Sequence, residues 1–218
     1  MVAVSQMLPQ QPDWQLSQTN PSQSAADWDA RYLATQSVWS LEPNQFVVEK
    51  LSDLPAGVMV DLAGGEGRNA LWFANRGWQV TNVEFSKIAL EKFQERAAAQ
   101  DLSVSSILGD ATAAQFGCDP ALIVVAYLQL PWEQLRKALD NALAQQSSGT
   151  IFGVWHAREN LRDGYGGPQS EAMLPSSQQL EDWLCSHGLE GRVEHRARMV
   201  KTPEGEKRAI DITLLLRR

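Results

Sequence analysis

The chain reads as an α/β protein, a mostly parallel sheet with helices on both faces. Three observations predict this. Residues 58–86 spell strand, glycine loop, helix, strand and acid, a βαβ unit that holds a small molecule at the carboxyl ends of its strands. Short apolar runs recur between helical periodicities, as buried parallel strands do. The chain closes on two strand-like segments joined by a proline- and glycine-containing turn.

Residues 1–24 are rich in Gln, Ser and Pro and show no periodicity, so they are expected to be a disordered or loosely packed tail. Residues 25–218 are expected to form one domain, with 25–53 as a helical cover. Ala25 to Thr35 reads as a helix carrying Trp28 and Tyr32 one turn apart, with Arg31 beside them. Pro43-Asn44 opens a second helix to Leu51, with Val47 and Leu51 inward. Val58 to Leu62 is the first strand. Ala63-Gly64-Gly65-Glu66-Gly67 is the loop, and Arg68 to Arg76 is a helix stopped by Gly77. A second strand, Trp78 to Val83, ends on Glu84. Ser86 caps a helix to about Ala99, with Ala89, Phe93 and Ala97 on its buried face.

Ser103 to Gly109 is a third strand followed by Asp110-Ala111, and Leu122 to Ala126 a fourth, running into Tyr127-Leu128-Gln129. Trp132 to Ala144 is helical, with Leu135, Leu139 and Leu143 recurring at four-residue spacing. Thr150 to Trp155 is a fifth strand with His156 at its carboxyl end. Glu159 to Leu174 holds too much glycine and proline for a long regular element and is the expected substrate lid or an exposed loop, with Tyr165 its aromatic candidate for contact. Ser176 with Gln179 forms a capping box. Gly191 to Val200 and Arg208 to Leu216 are the closing strands, the latter alternating Ile210, Ile212, Leu214 and Leu216 onto one face.

The loop chemistry narrows the ligand. Glycines let backbone approach a ligand closely, but several cofactor classes use such turns. The dinucleotide fingerprint G-x-G-x-x-G fails here, because Arg68 stands at its third glycine. Asp61, ending the first strand, would repel a pyrophosphate and suits an ammonium or sulfonium. Glu84, 23 residues beyond Asp61, is placed to accept hydrogen bonds from two ribose hydroxyls. Ribose, a positive amino-acid end and no phosphate describe S-adenosylmethionine (SAM).

The stretch Asp61 to Ala70 resembles motif I of class I SAM-dependent methyltransferases, usually D-L-G-x-G-x-G, with Ala63 replacing the first glycine. Val83 to Ser86 resembles the ribose-gripping segment. Trp28 to Tyr32 and Val38 to Asn44 resemble the N-terminal segment of the tellurite-resistance and thiopurine methyltransferase-like branch. This resemblance implies a Rossmann-like seven-stranded sheet of order 3-2-1-4-5-7-6 with strand 7 antiparallel. It implies cofactor contacts at Arg31, Trp39, Asp61, Ala63, Gly64, Gly65, Glu84, Phe85, Asp110, Ala111 and Ala126, with Arg31 on the SAM carboxylate and Asp110 on the adenine amine. Asp110 reads equally as a turn residue, and Trp28, Tyr32 and Trp39 equally as core packing. Relatives often carry histidine where Gln129 stands, and glutamine can hydrogen-bond but not act as a base.

The implied activity is methyl transfer to a small-molecule acceptor, with a SAM-binding protein that transfers nothing as the alternative. His156 and Tyr127 are the catalytic candidates, His156 being also readable as a polar rim residue. A net charge of −7 without a basic cluster argues against a nucleic-acid partner. No apolar run approaches the ~20 residues that span a bilayer. The N-terminus lacks the pattern of a signal peptide, so a cytoplasmic protein is expected. Cys118 and Cys185 have no metal-ligand spacing, and no metal is expected. The expected assembly is a monomer or homodimer.

Overall fold

A computed structural model describes residues 24–218. The expectation for residues 1–23 lies outside the described residues. The chain order is α1 Ala25–Leu33, α2 Gln45–Leu51, β1 Val58–Leu62, α3 Arg68–Ala74, β2 Gln79–Glu84, α4 Lys87–Ala98, β3 Ser105–Leu108, β4 Leu122–Ala126 and α5 Trp132–Ala144. It continues with β5 Thr150–His156, α6 Asn160–Asp163, a 3-10 turn Glu171–Met173, α7 Ser177–Ser186, β6 Gly191–Thr202 and β7 Gly205–Arg217. The sheet order is β3-β2-β1-β4-β5-β7-β6, with β7 antiparallel to both neighbours. The closing hairpin is longer than the apolar pattern indicates, because its outer ends are exposed and carried by ladder bonds rather than burial.

Side chains alternate across each strand, so the sheet has two cores. Val60, Leu62, Ile123, Val125, Ile151 and Ile212 face α5 and α7 through Leu135, Leu139, Leu180 and Trp183. Met59, Val80, Leu122, Val124, Phe152 and Val154 face α2, α3 and α4 through Phe46, Val47, Phe73 and Phe93. The same alternation puts Asp61, Asn82, Glu84, His156 and Asp211 on the second face, each near the carboxyl end of β1, β2 or β5 or opposite it on β7.

The helix ends are fixed by local chemistry. Ser24 and Asp27 form a reciprocal capping box at α1, and Ser176 and Gln179 one at α7. The Asn44 side chain accepts from the Phe46 and Val47 N–H groups at the start of α2. Gly67, at the N-terminus of α3, has φ of 78°, and a methyl there would overlap the Phe93 ring. Gly67→Ala is therefore expected to lower unfolding stability by about 1–3 kcal/mol, from left-handed strain plus overpacking, measured by urea denaturation. A loss smaller than that of an exposed Gly→Ala control would show that the Phe93 contact is slack.

Candidate functional site

Asp61, one residue before the end of β1, is fully buried, and the chain turns through Ala63 at φ 57° and Gly65 at φ 56° into α3. Asp61 Oδ2 accepts from the Ala70 N–H at 3.0 Å. Its Oδ1 is buried with no hydrogen-bond partner. Opposite it on β2, Asn82 donates through Nδ2 to Gly65 O at 3.0 Å, and its Oδ1 is likewise buried without a partner. Gly64 lies against both, since a Cβ there would come within 2.7 Å of Asp61 Cγ and closer still to Asn82 Oδ1. Burial pushes the Asp61 carboxyl up to about 7, opposed by the Ala70 N–H and by Arg68.

Glu84 is used more heavily than the sequence indicates. Oε2 accepts from Gly65 N–H, and Oε1 from Phe85 and Ser86 N–H, each at 3.0 Å. A carboxylate has about four acceptor sites, so one remains, on Oε2, where the sequence reading gave Glu84 two ribose hydroxyls. Burial raises its pKa against the three N–H bonds.

The N-terminal cover closes on this loop. Tyr32 is buried, and its hydroxyl accepts from Trp39 Nε1 at 3.3 Å. That hydroxyl stands so close to Gly65 that a Cβ would meet it at 2.8 Å. The Arg31 guanidinium lies 5.0 Å from the Trp28 ring and 5.5 Å from the Trp39 ring. It has no ion pair among the described residues, and burial lowers its pKa. Asp29 accepts from Ser86 Oγ at 2.5 Å and from Ile88 N–H at 3.3 Å, joining α1 to the start of α4.

Glu66 holds the cover, a role the sequence reading missed. It is 2% exposed and accepts from Val38 N–H at 3.0 Å and Trp39 N–H at 3.4 Å. Arg96 pairs with it at 2.9 Å and Lys92 at 3.6 Å. Lys92 also donates to the Tyr32 and Thr35 carbonyls, at 2.5 and 2.6 Å. The available signal was an acid inside a glycine loop followed by two cations four residues apart on one helix.

Asp110 is exposed, and its Oδ1 accepts from the Thr112 N–H and hydroxyl at 2.7 Å, an Asx turn. Ala111 is buried, while Phe85 and Ala126 are half-buried at the ends of β2 and β4. The two catalytic candidates come together: the Tyr127 and His156 rings are 4.9 Å apart. Asp211 lies between them, with Tyr127 donating to its Oδ2 at 2.7 Å and His156 Nδ1 3.1 Å from its Oδ1. Asp211 was also missed. Its signal is an acid set within the alternating Ile210, Ile212, Leu214 run of the last strand.

The lid segment is pinned rather than loose. Asn160 accepts from Ile210 N–H at 2.7 Å and donates to Gly166 O at 2.7 Å. With its amide oriented to suit both neighbours, Gln129 donates to Met173 O at 2.9 Å and accepts from His156 N–H at 3.0 Å. Among the described residues no group of three or more His, Cys, Asp or Glu is arranged to hold a metal ion, and no helix is long and apolar enough to cross a membrane.

Comparison with known proteins agrees with this geometry. Residues 59–147 match the family model of a methyltransferase domain. No curated protein sequence matches the chain. Among solved structures the chain is similar to TehB from Haemophilus influenzae, at 18% identity and TM-score 0.65, over 89% of this chain and 66% of that one. It is similar to a SAM-dependent methyltransferase from Clostridium acetobutylicum at 14% identity and TM-score 0.58, over 79% and 89% of the two chains. It is also similar to magnesium protoporphyrin IX methyltransferase from Synechocystis with bound SAM, at 14% identity and TM-score 0.56, over 94% and 89%. At these identities the solved structures establish a shared Rossmann-like methyltransferase fold. With the domain match, they support SAM as the cofactor and SAM-dependent methylation as the chemistry.

Proposed function

We propose that the chain is a SAM-dependent methyltransferase acting on a small-molecule acceptor. The observation that carries this reading is the pair of unpartnered buried acceptors, Asp61 Oδ1 and Asn82 Oδ1, beneath the Gly64-Gly65 loop. A buried acceptor without a donor costs about 1–3 kcal/mol, so the site is suited to a ligand that brings donors and positive charge. Asp61 would hold the ammonium, Glu84 one ribose hydroxyl and the unpaired Arg31 the carboxylate. Gly64 and Gly65 let the backbone close on the ligand. Ala63 and Phe85 would border it, with Ala111 and Ala126 at the adenine and methyl ends and Trp39 above. In this reading Asp110 uses the carboxylate oxygen left over by its turn.

Bound there, SAM supplies an activated methyl group on a sulfonium. The chain's share is positioning and exclusion of water. The cover does this on one side through Tyr32, Trp39 and Glu66. The lid held by Asn160 and Gln129 does it on the other. We place the chain in the tellurite-resistance and thiopurine methyltransferase-like branch on the strength of Trp28 to Tyr32. The acidic balance of the chain fits an acceptor other than nucleic acid.

Thermal unfolding with SAM, S-adenosylhomocysteine and NAD tests the cofactor. Ligand at ~100 times its dissociation constant adds about 2.7 kcal/mol, which at this length raises the midpoint by roughly 5–10 °C. A shift with SAM and S-adenosylhomocysteine alone is expected, and no shift with either refutes the reading. Glu84→Ala is expected to weaken SAM binding by about 1–3 kcal/mol, read by calorimetric titration.

Asp61 also makes the ligand-free protein pH-sensitive. Its folded pKa, about 7, lies above the ordinary carboxylate value of 3.8, so the folded state holds the proton more tightly than the unfolded state. The proton's stabilisation is present below about pH 4 and is lost as pH rises to about 7. Asp61→Asn keeps the Ala70 acceptor and removes the charge. Its stability relative to the parent is expected to rise between about pH 4 and 7 by at most about 4 kcal/mol, then level off. A pH-independent difference in denaturation midpoints would show that Asp61 is not the group responsible.

A further inference from the structure

Four side chains from four strands or strand ends meet beside the lid. Asp211, on β7, is fully buried and stands opposite His156 on β5 in the antiparallel register. Its Oδ2 accepts from the Tyr127 hydroxyl at 2.7 Å and from Arg198 Nε, on β6, at 2.6 Å. Its Oδ1 faces His156 Nδ1 at 3.1 Å. Asp211 is the one charged residue in the buried stretch Ala209–Leu214 of β7, whose other members are Ala, Ile, Thr and Leu, and a carboxylate is costly to bury there.

The backbone is also committed to this cluster. Tyr127 has φ of 58°, a left-handed conformation that a bulky residue holds only when its surroundings impose it. Gly167 lies on the imidazole, where a Cβ would come within 2.5 Å of His156 Cδ2. The ring is thus held between the Tyr127 ring and the lid backbone. Arg68, the first residue of α3, stands 5.7 Å from the Tyr127 ring and ties the cluster to the glycine loop.

These contacts divide the roles of the two candidates. The only proton of Tyr127 is engaged by Asp211, and burial together with that carboxylate pushes the phenol well above its ordinary range. Tyr127 is therefore unsuited to accept a proton. His156 Nδ1 and Asp211 Oδ1 are 3.1 Å apart but not aligned as a hydrogen bond, and neither atom has another partner. A proton on Nδ1 is the one that can satisfy both buried atoms on a small ring rotation, and it leaves the lone pair on Nε2. Burial works to raise the Asp211 pKa, but His156, Arg198 and Tyr127 outweigh it and keep the carboxyl below its ordinary value, hence ionised. Asp211 from β7 is the charged group against the imidazole, while the guanidinium groups of Arg198 from β6 and Arg68 from α3 lie over the neighbouring Tyr127 ring, at 5.8 and 5.7 Å. The two guanidinium groups disfavour a cationic ammonium acceptor. A soft anion would need no base.

We infer that Asp211 is a positioning residue that makes His156, and not Tyr127, the general base of methyl transfer, and that the acceptor is a neutral hydroxyl. The inference rests on the methyltransferase reading above. The hydroxyl proton passes to His156 Nε2 and the acceptor oxygen forms the new C–O bond. The electron pair of the broken S–C bond stays on sulfur. Asp211 stabilises the imidazolium until it loses its proton to water.

Nitrogen-15 NMR of the ligand-free protein reads the tautomer directly, with the His156 ring signals assigned through bonds from the backbone. The Nδ1–H form is expected, and it is expected to give way to a mixture in Asp211→Asn. An Nε2–H form in the parent protein overturns the inference, and this needs no variant to fold. Release of S-adenosylhomocysteine is then followed from about pH 5.5 to 9 with phenols, dithiothreitol and selenite as acceptors. Turnover of phenols is expected. Asp211→Asn is expected to lose about 10- to 100-fold in kcat at unchanged KM for SAM, and His156→Gln to lose turnover. Phenol turnover undiminished in His156→Gln, turnover confined to dithiothreitol or selenite, or turnover of none overturns the inference. Calorimetric titration with SAM separates the two readings: absence of binding refutes the cofactor assignment, while the tautomer still reports on Asp211 and His156.

Discussion

The structure depends on one constraint, the alternation of side chains along parallel strands whose carboxyl ends share an edge. Because Asp61 pairs in register with Asn82, and His156 with Asp211, polar groups spaced along four strands fall on one face. That face is otherwise the packed core beneath α2, α3 and α4. Polar groups so buried must find partners. Asp61 and Glu84 find them in backbone N–H groups of the loop and of the following turns, so the same bonds that satisfy them shape the loop. Beside the glycine loop, the oxygens left over on Asp61 and Asn82 mark where the protein's own donors run out.

The cover is attached by a different economy. Its apolar cluster is small, Tyr32, Val38 and Ala89 with Trp28 and Ile88 against them. Apolar burial alone would hold such a segment weakly, by about 1.5–3 kcal/mol for each large side chain fully buried. Glu66 supplies the rest by accepting the N–H groups of Val38 and Trp39 while two cations of α4 neutralise it. Losing either partner set would leave a buried charge uncompensated, which is far costlier than losing an exposed ion pair. Cover and glycine loop are therefore coupled through one side chain that belongs to the loop.

The acceptor side is built on the same principle with more charge. Asp211 accepts from a phenol and a guanidinium and stands 3.1 Å from an imidazole, against which the Gly167 backbone rests. Gln129, just past the end of β4, is committed to tying the 3-10 turn to β5. The residue that could be read as a weakened catalytic group is a strut.

Much of this was legible in the sequence. Period-two and period-3.6 patterns, glycine punctuation and caps place the strands, apart from the start of β7, and most helix ends within a residue or two, because local propensity and burial agree there. Asp61 and Glu84 were legible because they stand at strand ends beside a glycine loop, and the closing hairpin because β7 alternates. What the tertiary structure decided is which acids meet which donors. Glu66 and Asp211 sit far in sequence from Val38, Arg96, Tyr127 and His156, and nothing in local pattern specifies those pairings. Sheet order and helix docking bring them together. The number of backbone N–H groups around Glu84, and hence the single acceptor site left to a ligand, is likewise a property of the folded loop, since hydrogen bonds are counted in space and not along the chain.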